Sequence, residues 1–126
     1  MIIAFTIIVI HWIADFLLQT DKMAQGKSKN WKDLLDHTTT YSTVWLIPIV
    51  FLMGNGYTAI EYLTTAFAFV GITMIAHTIQ DYFTSRLNAR LWEEKKVHWF
   101  FVSIGFDQVL HYGQLFLTYH LLIQST

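Results

Sequence analysis

The sequence predicts an all-α fold: a four-helix transmembrane bundle of two hairpins, forming a single transmembrane domain over 1–126, with both termini non-cytoplasmic. Three observations predict it. The apolar residues gather in four long blocks, Met1 to Leu18, Leu34 to Met53, Ile60 to Phe83 and Trp99 to Leu122. Each fits the roughly 17–25 residues that a membrane-spanning helix needs. The 126 residues are 54% hydrophobic and 13% charged, about half the charged fraction of an ordinary soluble domain. All eight Lys and Arg fall in two of the connections between blocks.

Block one predicts a helix over about 1–19. Nothing basic precedes it and no small-residue cleavage site follows, so it is expected as a mature helix rather than a signal peptide. The connection "DKMAQGKSKNWKD" is polar and basic. Block two, "LLDHTTTYSTVWLIPIVFLM", predicts a helix over about 33–53. The short "GNGYT" connection carries no charge. Block three predicts a helix over about 58–85, with "TSRLNARLWEEKK" extending it along the cytoplasmic face to about 94. Block four predicts the last helix, about 98–123. A soluble bundle would need a solvated, charged face on each helix, and these blocks offer none.

Cytoplasmic loops collect Lys and Arg. Lys22, Lys27, Lys29 and Lys32 fall in the first connection; Arg86, Arg90, Lys95 and Lys96 fall in the third. Both are therefore expected in the cytoplasm, with the termini and Gly54 to Tyr57 outside. Trp12, Trp31, Trp92 and Trp99 fit an interfacial belt near the cytoplasmic boundary.

Composition also excludes. With no Cys there is no disulfide, thiolate metal site or Cys nucleophile. A net charge of −1 offers no footprint for nucleic acid. No phosphate-cradling Gly loop, dinucleotide fingerprint or Ser nucleophile motif is present.

The polar residues inside the apolar blocks carry the functional signal. A spacing of four puts two side chains on one helix face, and every block offers a His–Asp pair at that spacing: His11/Asp15, Asp33/His37, His77/Asp81 and Asp107/His111. With the helices alternating in direction, each Asp lies on the cytoplasmic side of its His. Ionisable groups at membrane depth are costly and face a partner or the bundle interior. A divalent cation is an effective common partner, and imidazole with carboxylate suits zinc, manganese or iron. The expected metal ligands are His11, Asp15, His37, His77, Asp81, Asp107 and His111, with Asp15, Asp81 and Asp107 the catalytic candidates. Gln19, Tyr41 and Gln108 are placed to orient them by hydrogen bonds. Asp33 and Asp36 also fit a negatively charged helix start, which leaves their membership of the site open. A weak repeat relates "HWIADFLLQ" to "HTIQDYFTS" and "DLLDH" to "DQVLH".

The set "HWIADFLLQTDKMA", "LLDHTTTY", "AHTIQDYF" and "FDQVLHY" resembles a family of small bacterial and phage-encoded integral membrane proteins of unknown function. Its pattern is His-x3-Asp-Phe-x2-Gln, His-x3-Tyr, His-x3-Asp and Asp-Gln-x2-His. The matching residues are His11, Asp15, Phe16, Gln19, His37, Tyr41, His77, Asp81, Asp107, Gln108 and His111. The resemblance implies a multi-pass protein of the bacterial inner membrane and assigns it no particular activity. The layout is also loosely similar to membrane-bound metal-dependent hydrolases, an analogy at the level of fold.

Three function classes follow. The first is a metal-dependent hydrolase acting on a lipid or lipid-linked substrate. The second is a non-enzymatic phage or bacterial membrane protein that binds a partner. The third is a metal-ion or proton transporter, disfavoured because the outer halves of the blocks carry few polar residues. Expected partners are the lipid bilayer, a lipid substrate and a second copy of the chain forming a homodimer, with no nucleic acid.

Overall fold

The computed structural model describes residues 1–124. Thr126, on which the expectation for the carboxyl terminus falls, lies outside them. The described residues are all-helical, with no strand. Helix α1 (Ile2–Trp12) runs without interruption into a π turn, Ile13–Leu17. A short α2 (Asp21–Gly26) leads into α3 (Trp31–Thr43). Helix α4 (Leu46–Met53) follows, then α5 (Ala59–Glu93) and α6 (Val97–Tyr119), which ends in a second π segment, His120–Gln124.

Local chemistry explains the boundaries. Thr58 opens α5 with a reciprocal capping box, its side chain accepting from the Glu61 N–H while the Glu61 carboxylate accepts from the Thr58 N–H. Asn30 caps α3 by accepting from the Asp33 N–H at 2.8 Å. The helix expected over 33–53 is in fact two. Pro48 has no N–H, and its ring crowds the carbonyl four residues earlier, that of Val44. The chain turns at Val44–Trp45 and restarts as α4, with the Ile49 N–H donating to the Trp45 carbonyl at 3.1 Å.

The expected count of membrane-crossing helices needs correction. Among the described residues one helix, α5, is long and apolar enough to cross a membrane alone; Ile2–Leu17 is apolar but shorter. Block two is divided at Val44–Trp45, and α6 carries Asp107, Gln108, His111 and Gln114 along its middle. Of the two expected hairpins, blocks three and four pair directly as α5 and α6, whereas block one meets block two through its π turn. Helix α5 is the hub, packing on α3, α4 and α6, while α1 packs on α6 and its π turn on α3.

Helix α5 shows how the fold is turned outward. Its buried residues are Ala66, Phe69, Thr73, His77, Asp81 and Ser85, a stripe at three- and four-residue spacing. Four of those six are polar. Ile60, Leu63, Phe67, Ile75, Ile79 and Phe83 are each more than half exposed. Only 17% of its apolar stretch is buried in the protein, so it is not the core helix of an ordinary globule. The interior has two parts. Toward the Gly54–Tyr57 end it is apolar, built on Ile7, Trp45, Ile49, Phe69 and Leu115, all fully buried. Toward the basic connections it holds His11, Asp15, His37, His77, Asp81 and His111.

The first basic connection is drawn against α5. Trp31 stacks on Tyr82 with ring centroids 5.0 Å apart, and α2 packs on α3. That packing requires a glycine at position 26, where a Cβ would overlap the Asp33 side chain. Gly26→Ala should therefore lower Tm, at a cost of about 1–3 kcal/mol. Gly105→Ala, where a Cβ meets nothing within 4 Å, should be neutral or slightly stabilising. Tryptophan-fluorescence melting of the two variants in detergent checks the contrast; equal effects would refute the close approach at Gly26.

Candidate metal centre

Four buried side chains from three segments meet at one point. His37 comes from α3, His77 and Asp81 from successive turns of α5, and Asp15 from the π turn. Their exposures are 1%, 0%, 1% and 4% respectively. His37 Nε2 lies 3.1 Å from His77 Nε2, 3.1 Å from Asp81 Oδ2 and 3.2 Å from Asp15 Oδ1. His77 Nε2 lies 3.6 Å from both Asp81 Oδ2 and Asp15 Oδ1. These are five of the six edges of a tetrahedron. A tetrahedron's edge is about 1.63 times its centre-to-corner distance, so zinc bonds of about 2.0–2.1 Å imply donor separations of about 3.3–3.4 Å. The observed range of 3.1–3.6 Å brackets that value. Asp15 Oδ1 is buried without a hydrogen-bond partner, which an ion at the centre would supply. The quartet can hold a metal ion.

A second group shares Asp81. His111 Nε2 lies 3.2 Å from Asp81 Oδ1 and 3.5 Å from Asp107 Oδ1. These three residues are buried and close enough to hold an ion.

The surrounding residues orient the donors. The His77 ring is sandwiched between Tyr41 and His111, with centroids 3.9 and 4.3 Å away. Gln80 Oε1 accepts from His111 Nδ1, which leaves the His111 Nε2 lone pair free for Asp81's side of the site. His11 is held by hydrogen bonds at both ring nitrogens. Its Nδ1 meets the Tyr41 hydroxyl at 2.7 Å and its Nε2 donates to Gln108 Oε1 at 2.7 Å. Gln108 in turn donates to Asp15 Oδ2 at 3.4 Å. His11 is thus placed as a support for Asp15, and both of its nitrogens are engaged.

Asp33 and Asp36 stand apart. Asp33 is held by Asn30 and lies 3.7 Å from Lys22, and Asp36 accepts from Lys32 at 2.6 Å. Both serve the start of α3, so His37 pairs across the bundle with Asp15 and Asp81 instead of with Asp33. Gln19 lines a cleft beside the site and does not bond the cluster: its Oε1 is buried without a partner.

Two participants are not evident in the sequence pattern. Gln80 precedes Asp81 and has no spacing signature of its own. Lys27 reads as one more cytoplasmic charge. Its ammonium nonetheless donates to Asp81 Oδ2 at 2.8 Å and lies 3.5 Å from His37 Nε2. Burial alone would push the Lys27 pKa down, but the carboxylates of Asp81 and Asp15 outweigh it and hold it above the ordinary lysine value. Lys27 is therefore a fixed positive charge against one edge of the quartet.

A cleft of about 690 Å³ leads from the cluster to the basic end, and Asp15, Lys27, Asp107 and Gln108 form its inner wall. On the other side, the apolar core of Ile7, Trp45, Ile49, Phe69 and Leu115 closes the interior. The cleft thus approaches the site from the basic end.

The chain belongs to the DUF3307 family of proteins of unknown function, whose family model matches residues 3–126. No curated protein and no solved structure matches it.

Lys27 and a bound cation would compete for Asp81 Oδ2. Lys27→Met should thus tighten divalent-ion binding, read by zinc or manganese titration. In chelator the same variant should melt lower, because removing one member of a buried ion pair costs about 3–5 kcal/mol. Weaker ion binding by Lys27→Met would count against competition.

Proposed function

We propose that the protein is an integral membrane protein whose His37, His77, Asp15 and Asp81 bind a divalent metal ion, and that this centre hydrolyses a lipid or lipid-linked substrate reached from the cytoplasmic side. The observation that carries the metal reading is the donor quartet. Two histidines and two aspartates from three segments turn one atom each toward a common point, at separations that fit a bound ion. Zinc fits the tetrahedral spacing; manganese and iron share the ligand preference. Bound metal supplies Lewis acidity and lowers the pKa of water.

Membrane embedding rests on the outward face. Besides α5, Phe5, Ile47, Phe51, Phe101, Phe106, Val109, Leu117 and Leu121 are each more than half exposed. In water such a surface drives aggregation; in lipid it is the solvated face. Helix α5 would be about 52 Å long at 1.5 Å per residue, so its last turns project beyond a hydrocarbon core of about 30 Å. We place all the basic residues, and the cleft, on the cytoplasmic side. The segment Ile2–Leu17, the broken α3–α4 pair and α6 cross the bilayer around α5. Trp31, Trp92 and Trp99, each more than half exposed, suit the interface at that end.

The cleft and the apolar closure support hydrolysis over transport. A transporter needs access from both sides, and the side toward Gly54–Tyr57 is packed with Trp45, Phe69 and Leu115. A one-sided cleft suits a substrate that enters and leaves from the same compartment. Lipid chemistry is favoured by the apolar wall that Phe16, Trp92, Phe100, Phe101 and Ile104 add beside the polar floor.

Elemental analysis of protein purified in detergent without chelator tests the metal. Wild type should hold metal, and Asp81→Asn should lose both metal and Tm. An ion at 100 times its dissociation constant stabilises by about 2.7 kcal/mol, enough to read as a clear shift. Glu61→Gln, in the capping box of α5, should leave metal content unchanged. The reading fails if wild type carries no metal and zinc, manganese and iron leave its melting curve unmoved.

Topology has its own test, made clean by the absence of native Cys. In intact cells Asn55→Cys should react with a membrane-impermeant thiol reagent and Lys22→Cys should not. The reverse pattern would invert the proposed orientation.

A further inference from the structure

The quartet raises a difficulty for catalysis. Four protein ligands complete a tetrahedral site, whereas catalytic metal sites keep a position open for water or substrate. The neighbouring group resolves it. Resting on the metal reading above, we propose that the centre is binuclear, with Asp81 bridging two divalent ions. The second ion, held by Asp81, Asp107 and His111, is the one that meets the substrate, a phosphoester of an amphiphile.

The two oxygens of Asp81 face different partners. Oδ2 is turned to His37 at 3.1 Å and Oδ1 to His111 at 3.2 Å. A carboxylate used through both oxygens holds two ions about 3.5–4 Å apart, the spacing of two-metal hydrolytic sites. Asp107 provides the independent sign of a ligand. It is 8% exposed, and its Oδ1 is buried with no hydrogen-bond partner. A buried carboxylate oxygen left unpaired is costly, and a cation beside it removes that cost. His111 is prepared for the same ion, because Gln80 Oε1 accepts a hydrogen bond from its Nδ1–H and leaves Nε2 facing Asp81 and Asp107.

Only three protein ligands serve this second position, and Asp107 lines the cleft. Its remaining coordination sites therefore face incoming water and substrate. The charges favour an anion there. Two divalent ions and Lys27 outweigh the carboxylates of Asp15, Asp81 and Asp107 by two positive charges. A phosphoester meets that excess with its own negative oxygens, which Lys29 at the cleft wall also attracts. Its apolar part lies against Phe16, Phe100 and Phe101. In the reaction water oxygen adds to phosphorus and the ester P–O bond breaks. One proton from the water ends on the leaving oxygen, and no oxidant or reductant is needed.

Metal stoichiometry and manganese magnetic resonance decide the matter. Manganese-loaded wild type should carry two ions per chain and give an exchange-coupled spectrum. Asp107→Asn should carry one, with an uncoupled spectrum, and inorganic phosphate should raise Tm in wild type but not in Asp107→Asn. One ion per chain in both proteins would overturn the binuclear proposal and leave the quartet standing. No ion in wild type would overturn both. Two ions with no response to phosphate would overturn the substrate class. Should Asp107→Asn fail to fold, the coupling in wild type alone decides between one ion and two.

Discussion

The charge on Asp81 is the constraint around which this molecule is built. Its carboxylate is 1% exposed and sits within 3.6 Å of His37, His77 and His111 and within 2.8 Å of the Lys27 ammonium. An ion so buried is tolerated only when surrounded by compensating groups. Each of those groups comes from a different place: α3, the preceding turn of α5, α6, and the connection between α2 and α3. Bringing them together determines which helices touch. It also explains why α2 folds back on α3 through Gly26, since that return carries Lys27 inward.

The same constraint turns the apolar residues outward. A narrow bundle has little interior, and much of it is occupied by imidazoles, carboxylates and threonines. Thr38 and Thr78 are joined hydroxyl to hydroxyl at 3.0 Å, and Gln114 bonds Thr73 and Thr118. Ile, Leu and Phe are then left to the exterior. In water that arrangement would forfeit the hydrophobic contribution that drives folding. In a bilayer, backbone satisfaction and interhelical polar contacts take over.

How legible this was in the sequence depended on spacing. His77 and Asp81 lie four apart on an unbroken helix, so geometry alone puts them on one face, and their convergence follows. The same rule applied to Asp33 and His37 misleads, because Asp33 falls in the first turn of α3 and is taken by Asn30 and Lys22. His11 and Asp15 are correctly on one side, but the π turn between Ile13 and Leu17 and the hydrogen bonds of His11 divide their roles, and no periodicity reveals that. Pro48 was visible as a helix breaker, yet the apolar run around it reads as continuous. Lys27 was hidden for a different reason. Its approach to Asp81 spans 54 positions in the chain and depends on the tight return at Gly26, which only three-dimensional packing discloses.

The apolar closure above the cluster has a consequence for energetics and bookkeeping of matter. A site that is entered and left through the cleft at the basic end performs no work against a gradient: whatever enters and whatever leaves do so at the same electrochemical potential. For the hydrolysis proposed above, membrane voltage and ion gradients would neither drive nor oppose turnover, so the direction of the reaction would be set by the bond being broken alone. Both products of that proposed reaction would also begin their departure on the leaflet where the reactant started, and lipid asymmetry would be left for other proteins to create or dissipate.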